Sequence, residues 1–458
     1  MAVIGLDIGT HSIKMAKRSE NGPVEFTELP TKVLYDPDGK KVVSVGEEAT
    51  LNYLDRHGNI PFGVELLEGQ IVREKCLESI LAVIGDSTIE HVGVAITGKD
   101  ISVKPIISAI NTVFQDAKVV DLDEVICAAA VYKYKNPDSD TDQLVVCDLG
   151  YSALKLALCS FKNKAIQIKK TIREEDLGWQ VFQTRLLETF PEYLSVKNEP
   201  VLEPARISFR DEFLQQLEKG DYDNGLKMVR VMEEGGDIIG AGGIHDTNFF
   251  TLGDARKVLK VGVVHEQYHN FITEVLDSID KFLSENRATT TPIFVTGAGA
   301  SPDEFKDLFI TSIQKHSGNI SKENVIISDN PKHTISEGAF RIAAEEIRVF
   351  EAIDKAITYK GPRLVNGNIE NEYEITPPSK YLTSGDPFSL CRIVVIEPVE
   401  SLMLSYGDKE FSLTREIECG NYDLAISMNR FGKLDFELRN DTDQATIMRF
   451  ERVNGHDR

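Results

Sequence analysis

The sequence predicts a mixed α/β fold of two similar lobes, followed by an all-β C-terminal domain. Three observations predict it. An apolar strand ending in Asp-x-Gly opens the chain at Ile4-Gly5-Leu6-Asp7-Ile8-Gly9-Thr10, and the pattern returns at Val145-Val146-Cys147-Asp148-Leu149-Gly150-Tyr151-Ser152. Around these two copies, strand-like runs alternate with helically spaced apolar residues as far as residue 345. Beyond Ala356-Ile357 the chain is punctuated by Gly and Pro and reads as short period-two strands. The expected boundaries are 1–135 for the first lobe and 136–345 for the second, with an inserted subdomain near 195–250. A linker helix over 346–361 and a β-rich domain over 362–458 complete the expectation.

Each element follows from local pattern. Val3 to Lys17 reads strand, tight turn, strand, with Ile13, Met15 and Ala16 interleaved with Lys14 and Lys17. Asn21-Gly22 is a hairpin signal. Val42 to Val45 is a short strand, and Gly46-Glu47-Glu48-Ala49 opens a short helix. Cys76, Leu77, Ile80, Leu81 and Ile84 have helical spacing that stops at Gly85. His91 to Thr97 is a strand, Lys104 to Phe114 a helix, and Lys118 to Val120 a strand. Glu124 to Tyr134 is a helix whose Ala128, Ala129 and Ala130 permit close packing. After the second Asp-x-Gly, Leu154, Leu156 and Leu158 alternate as a strand. Pro292 to Ser301 is a buried strand entering a glycine-rich turn, and Asp303-Glu304-Phe305 start a helix. Glu234-Gly235-Gly236-Asp237 and Gly240-Ala241-Gly242-Gly243 mark loops of the insert. The cationic group Lys169, Lys170 and Arg173 reads as a solvated strand end. Arg392 to Ile396, Leu402 to Tyr406, Phe411 to Ile417, Tyr422 to Met428 and Leu434 to Leu438 are the C-terminal strands.

Composition narrows the function classes. Hydrophobic residues are 41% and charged residues 27% of 458, which excludes a disordered chain or a collagen-like fibre. The net charge of −22 argues against coating nucleic acid or anionic membrane by bulk electrostatics, while leaving a Mg²⁺-nucleotide ligand open. No apolar run is long enough to span a bilayer, and the first residues lack the basic stretch of a signal peptide. Six cysteines without a CxxC pair read as buried free thiols of a reducing cytoplasm. The expected location is therefore cytoplasmic.

The two Asp-x-Gly turns carry the candidate chemistry. A glycine lets backbone N–H groups approach a phosphate, and a neighbouring hydroxyl adds a donor. An aspartate at a strand end can hold the water shell of Mg²⁺. Either turn alone is an ordinary strand end. Two of them facing each other could grip a polyphosphate from opposite sides. The late Val295-Thr296-Gly297-Ala298-Gly299-Ala300 turn leaves room for a flat ligand or a close backbone crossing.

In this order, Asp-x-Gly-Thr, a second Asp-x-Gly and Val-Thr-Gly-x-Gly resemble the actin-like ATPase superfamily, which includes actin, DnaK-type chaperones, MreB and FtsA. The resemblance covers about residues 1 to 345. Gly46-Glu47-Glu48-Ala49, His57-Gly58-Asn59-Ile60 and Leu67-Glu68-Gly69-Gln70-Ile71 resemble an MreB segment. Asp123-Glu124 before the Ala-rich helix, Leu177-Gly178 after a strand, and Ser336-Glu337-Gly338-Ala339 fit further family features.

The resemblance implies ATP or ADP with Mg²⁺ in a cleft between the lobes. By position, Asp7 and Asp148 would act on Mg²⁺ through water, and Glu124 would orient the attacking water. Gly9, Thr10, His11 and Ser12 would cradle phosphate, with Gly150, Tyr151 and Ser152 facing them. Gly178 would lie near the ribose, and Gly297, Ala298 and Gly299 along the adenosine. Where the family has further glycines after the second Asp-x-Gly, this chain has Tyr151-Ser152-Ala153; Lys155 replaces a common second acid, and Val125 replaces a proline. These departures predict slow or absent hydrolysis. The leading functional expectation is a DnaK-like switch whose nucleotide state controls a polypeptide partner at the β domain. The alternatives are an MreB- or actin-like filament former, and an ATP sensor or scaffold that does not hydrolyse.

Overall fold

Val3–Ile8 (β1) is buried on both faces along almost its whole length, as expected of a strand flanked by helices. In the computed structural model the described residues are 2–18, 22–55, 64–84, 89–96, 103–115, 117–162, 165–188, 210, 263–316, 318–349, 355–365, 368–376, 387–407, 409–430, 432–441 and 447–453. The segment His57–Ile60, Gly85 and the expected insert over 195–250 lie outside them, Arg210 excepted.

After β1 come Ser12–Arg18 (β2), Val24–Pro30 (β3), Lys32–Asp36 (β4), Lys41–Val45 (β5) and Glu47–Asp55 (α1). Glu65–Glu68 (β6), Gln70–Ile84 (α2), His91–Ile96 (β7), Val103–Val113 (α3) and Lys118–Leu122 (β8) follow. The first five-stranded sheet has the order β3-β2-β1-β7-β8, and β4, β5 and β6 form a small sheet beside it. Its β1–β2–β3 run is antiparallel, while β1, β7 and β8 are parallel. Ile106, Ala109 and Ile110 give α3 its buried stripe.

Glu124–Lys135 (α4) starts at Asp123, whose carboxylate accepts the Val125 N–H at 2.9 Å as an N-cap. Then come Gln143–Leu149 (β9), Leu154–Lys162 (β10), Ala165–Glu174 (β11), Trp179–Leu187 (α5) and Val263–Glu285 (α6). Ile293–Thr296 (β12), Asp303–Lys315 (α7), Val325–Ile327 (β13) and Thr334–Ala343 (α8) complete this part. The second five-stranded sheet has the order β11-β10-β9-β12-β13. Its three-strand antiparallel run and two parallel additions repeat the first sheet strand for strand.

Three buried clusters explain the layering. Ile80, Ile106 and Phe114 pack with Ile4 and Leu6 on one face of the first sheet. Trp179, Phe182, Phe271 and Phe305 do the same for Val145 and Leu149 of the second. Between the sheets lie α4 and α8, buried along nearly their whole length. A side chain at Gly338 would run into the Cys127 backbone, so only glycine lets α8 approach α4 this closely.

The C-terminal region is all β. Ile357–Val365 (β14), Asn368–Ile375 (β15), Phe388–Val395 (β16), Val399–Tyr406 (β17) and Lys409–Ile417 (β18) are followed by Gly420–Met428 (β19), Leu434–Asn440 (β20), Ile447–Arg449 (β21) and Glu451–Arg452 (β22). They form the sheets β15-β14-β17-β18-β22 and β16-β19-β20-β21. Its core is continuous with α4: Tyr359, Leu404 and Phe436 belong to one cluster with Ile126, Ala130 and Ile166. The helix expected over 346–361 is corrected in its described residues. Turn, bend and irregular chain occupy 344–349, and β14 begins at Ile357. Ile357 and Tyr359 point inward with period two, and Gly361-Pro362 falls in an irregularity between Lys360 and Arg363 rather than ending the strand.

Among the described residues, no helix is long and apolar enough to cross a membrane. Cys76, Cys127, Cys147 and Cys159 are buried thiols as expected, whereas Cys391 is half-buried and Cys419 exposed. Gly338→Ala should lower unfolding stability by about 1–3 kcal/mol in chemical denaturation, since the α4–α8 contact must open. Unchanged stability would show that this crossing is not the tight contact described.

Candidate functional site

The first turn joins β1 to β2 and is braced from three directions. Thr31 Oγ1 donates to the Gly9 carbonyl at 3.2 Å, and the Thr31 N–H donates to the His11 carbonyl at 2.8 Å. Arg73 of α2, 3% exposed, donates to the Ile8 carbonyl at 3.2 Å. Ser12 Oγ donates to Glu28 at 2.6 Å.

The second turn joins β9 to β10 and is held by the start of α5. The N–H groups of Trp179 and Gln180 donate to the carbonyls of Gly150 and Tyr151 at 3.0 and 2.8 Å. Arg173 reaches Ser152 Oγ at 3.3 Å. The third turn follows β12: Thr296 Oγ1 donates to the Pro331 carbonyl at 3.0 Å, and Gly297 has a φ of +98°. A Cβ there would stand 2.6 Å from Asp148 Oδ1, so glycine is needed for both reasons.

These turns line one cleft of about 650 Å³, counting the space open to solvent. Two ring stacks join the two halves, and the first of them is on the cleft wall. His11 of the first turn lies on Tyr151 of the second, with centroids 4.2 Å apart, and Phe26 of β3 lies on His333 at 4.9 Å. Lys332 adds an ion pair to Glu28 at 2.8 Å.

At the floor, charges are arranged by strand register. Asp7 stands directly opposite Lys14 on β2, and Asp148 directly opposite Lys155 on β10. The two sheets thus present the same acid–lysine pair at the same strand end. Lys14 Nζ binds Asp7 Oδ2 at 3.1 Å. Lys155 Nζ instead lies 2.8 Å from Glu124 Oε2 and 3.6 Å from Asp123 Oδ2. All four carboxylates are between 5% and 6% exposed. Burial pushes the Asp148 carboxyl up to about 7; Glu124 adds to the rise and Lys155 opposes it. Burial opposes the charge on Lys155, but Glu124 and Asp123 more than offset it and hold the ammonium well above the usual lysine range.

The structure brings together Asp7, Gly9, Thr10, His11, Ser12, Glu124, Asp148, Gly150, Tyr151, Ser152, Gly297 and Ala298 around the cleft. Two expected residues are not on its wall. Gly178 packs against the backbone of Ser152 and Ala153, and Gly299 against Leu149 and Trp179, so both support the turns from behind. Arg173, expected to be a solvated strand end, lines the cleft. Lys14 and Lys332 were not singled out by the sequence reading. The signal for Lys14 was present, since a lysine follows each aspartate by seven positions (14 − 7 and 155 − 148). Lys332 lies in a loop after β13, and its position depends on the tertiary fold.

No family model matches the chain, and no curated protein matches its sequence.

Because the folded pKa of Asp148 lies above its ordinary value, the folded chain keeps a proton that the unfolded chain has released. This contribution favours the fold at low pH and is lost as pH rises from 3.8 to about 7. Denaturation of Asp148→Asn beside the parent should therefore show the variant gaining on the order of a few kcal/mol relative to the parent across that window. A stability difference independent of pH would contradict the charge arrangement at the floor.

Proposed function

We propose that the chain is an ATP-binding switch with the two-lobed architecture of the actin-like ATPases, and that its C-terminal β region reads the nucleotide state for a polypeptide partner. The observation that carries this reading is the repetition: two sheets of one strand order, each placing Asp, a glycine turn and Lys at the same edge of a shared cleft.

The residues present suit a polyphosphate ligand. At Gly9 a Cβ would stand 2.7 Å from the Ser12 carbonyl oxygen, so the bare turn keeps backbone close to the cleft. Lys14, Arg173 and Lys332 put three cations around the cleft of a chain whose net charge is −22, besides Lys155 on Glu124. Thr10, Ser12 and Ser152 supply hydroxyls. Among the described residues, no group of three or more His, Cys, Asp or Glu side chains is arranged to ligate a metal. Asp7 and Asp148 would hold Mg²⁺ through water, and the ion would supply charge neutralisation on the phosphates. Glu124, at the start of α4, would orient a water for hydrolysis. Gly297 and Ala298 would border the nucleoside. The His11–Tyr151 stack links the two turns.

A switch is favoured over a filament by a contact on α4. The Asp123 N–H donates to the Arg430 carbonyl at 3.1 Å, in the loop joining β19 to β20. The β region therefore touches the residue next to Glu124, and a shift at the cleft floor has a short route to it.

Binding of a fluorescent ATP analogue in the presence of Mg²⁺ is the direct test. The parent chain should bind it, and Asp7→Ala should weaken binding by roughly tenfold or more. Absence of binding by the parent at millimolar analogue would overturn the reading. In high-speed pelleting the chain should stay in the supernatant with ATP, with ADP and without nucleotide. ATP-dependent sedimentation would make the filament reading the better one.

A further inference from the structure

The two lysines that the repetition places in register differ in what they hold. Lys14 binds the aspartate opposite it, at 3.1 Å. Lys155 has Asp148 opposite it, yet its ammonium reaches away to Glu124 at 2.8 Å and Asp123 at 3.6 Å. The Lys155 side chain is 14% exposed and that of Glu124 7%, so the pair is shielded from water and weakly screened. Glu124 is the carboxylate that the preceding reading assigns to the attacking water. An ammonium bonded to one of its oxygens occupies an acceptor site and attracts the negative charge that would polarise that water.

We propose that Lys155 is a positioning residue that restrains hydrolysis: by holding Glu124 it makes the cleft keep ATP rather than turn it over. The inference rests on the ATP-binding reading. The step restrained is the attack of a water oxygen on the γ-phosphorus. The bond from that phosphorus to the ADP oxygen breaks, the electron pair leaves with ADP, and the water proton passes to the Glu124 carboxylate and then to solvent. ATP and water are the only reactants. Lys155 neither gives nor takes an atom.

Removing Lys155 leaves buried carboxylates without their cation, so Lys155→Met alone could fail to fold. The double variant Lys155→Met/Asp123→Asn keeps the net charge of the cluster, and Asn caps a helix as well as Asp does. The measurement is steady-state phosphate release with Mg²⁺-ATP, with binding of the fluorescent analogue recorded on the same samples. A positioned general base contributes about 10²–10⁴-fold, so partial release of Glu124 should raise kcat roughly tenfold or more, with KM within about threefold of the parent. Lys155→Arg, which keeps a cation on Glu124, should show little of that gain. Adding Glu124→Gln to the double variant should abolish the gain.

The proposal is overturned if the double variant binds the analogue but releases phosphate no faster than the parent. It is also overturned if Lys155→Arg accelerates as much as the double variant, or if the gain survives Glu124→Gln. Failure of the parent to bind the analogue is a different result: it removes the ATP-binding reading, and this inference with it. Binding without acceleration removes this inference alone.

Discussion

The burial of carboxylates beside lysines at the ends of two equivalent strands is the constraint on which the structure turns. Asp7, Glu124 and Asp148 lie at the cleft floor with Asp123 beside them; Lys14 pairs with Asp7, and Lys155 pairs with Glu124 and Asp123 while standing opposite Asp148 in the strand register. Such groups are costly to remove from water unless they are paired. Pairing supports the register of β1 on β2, because a one-residue slip would take Asp7 away from Lys14; a slip of β10 on β9 would likewise take Lys155 away from Glu124. The turns between those strands line the same cleft.

The layer between the sheets passes this arrangement to the rest of the molecule. Helix α8 packs against α4, and its Arg341 binds Glu337 at 2.8 Å and Glu346 at 2.6 Å while its guanidinium covers Tyr134 of α4 at 3.7 Å. Arg18, at the end of β2, also binds Glu346. The first sheet, α4 and the segment leading towards the β region are thus connected through one charge network. At the other end of α4, Asp123 meets Arg430 through its backbone, and Asp121 lies beside Arg430 with its carboxyl pushed by burial up to about 6. The β region touches the α4 end that carries Glu124.

Much of this was legible in the sequence. The Asp-x-Gly echo located both turns, and period-two and helical spacing located most strands and helices, because those signals are local. The linker helix was misread because Gly361-Pro362 looks like a terminus; in the fold, β14 runs through it with a register shift. The placement of Gly178 and Gly299 behind the turns depends on packing against Ser152 and Trp179, which no spacing rule encodes. The cross-cleft partners were least legible. Lys332 finds Glu28, and His11 finds Tyr151, over separations that only the paired sheets bring together. Lys155 was recognised as a departure, but its choice of Glu124 over Asp148 is a matter of three-dimensional reach.

The central claim is that the two repeated turns act together on one ligand. Amide hydrogen exchange with and without Mg²⁺-ATP tests it most directly. Peptides spanning 7–14 and 148–155 should gain protection together, at the same ATP concentration. Protection of one turn without the other, or of neither at saturating ATP, would contradict it.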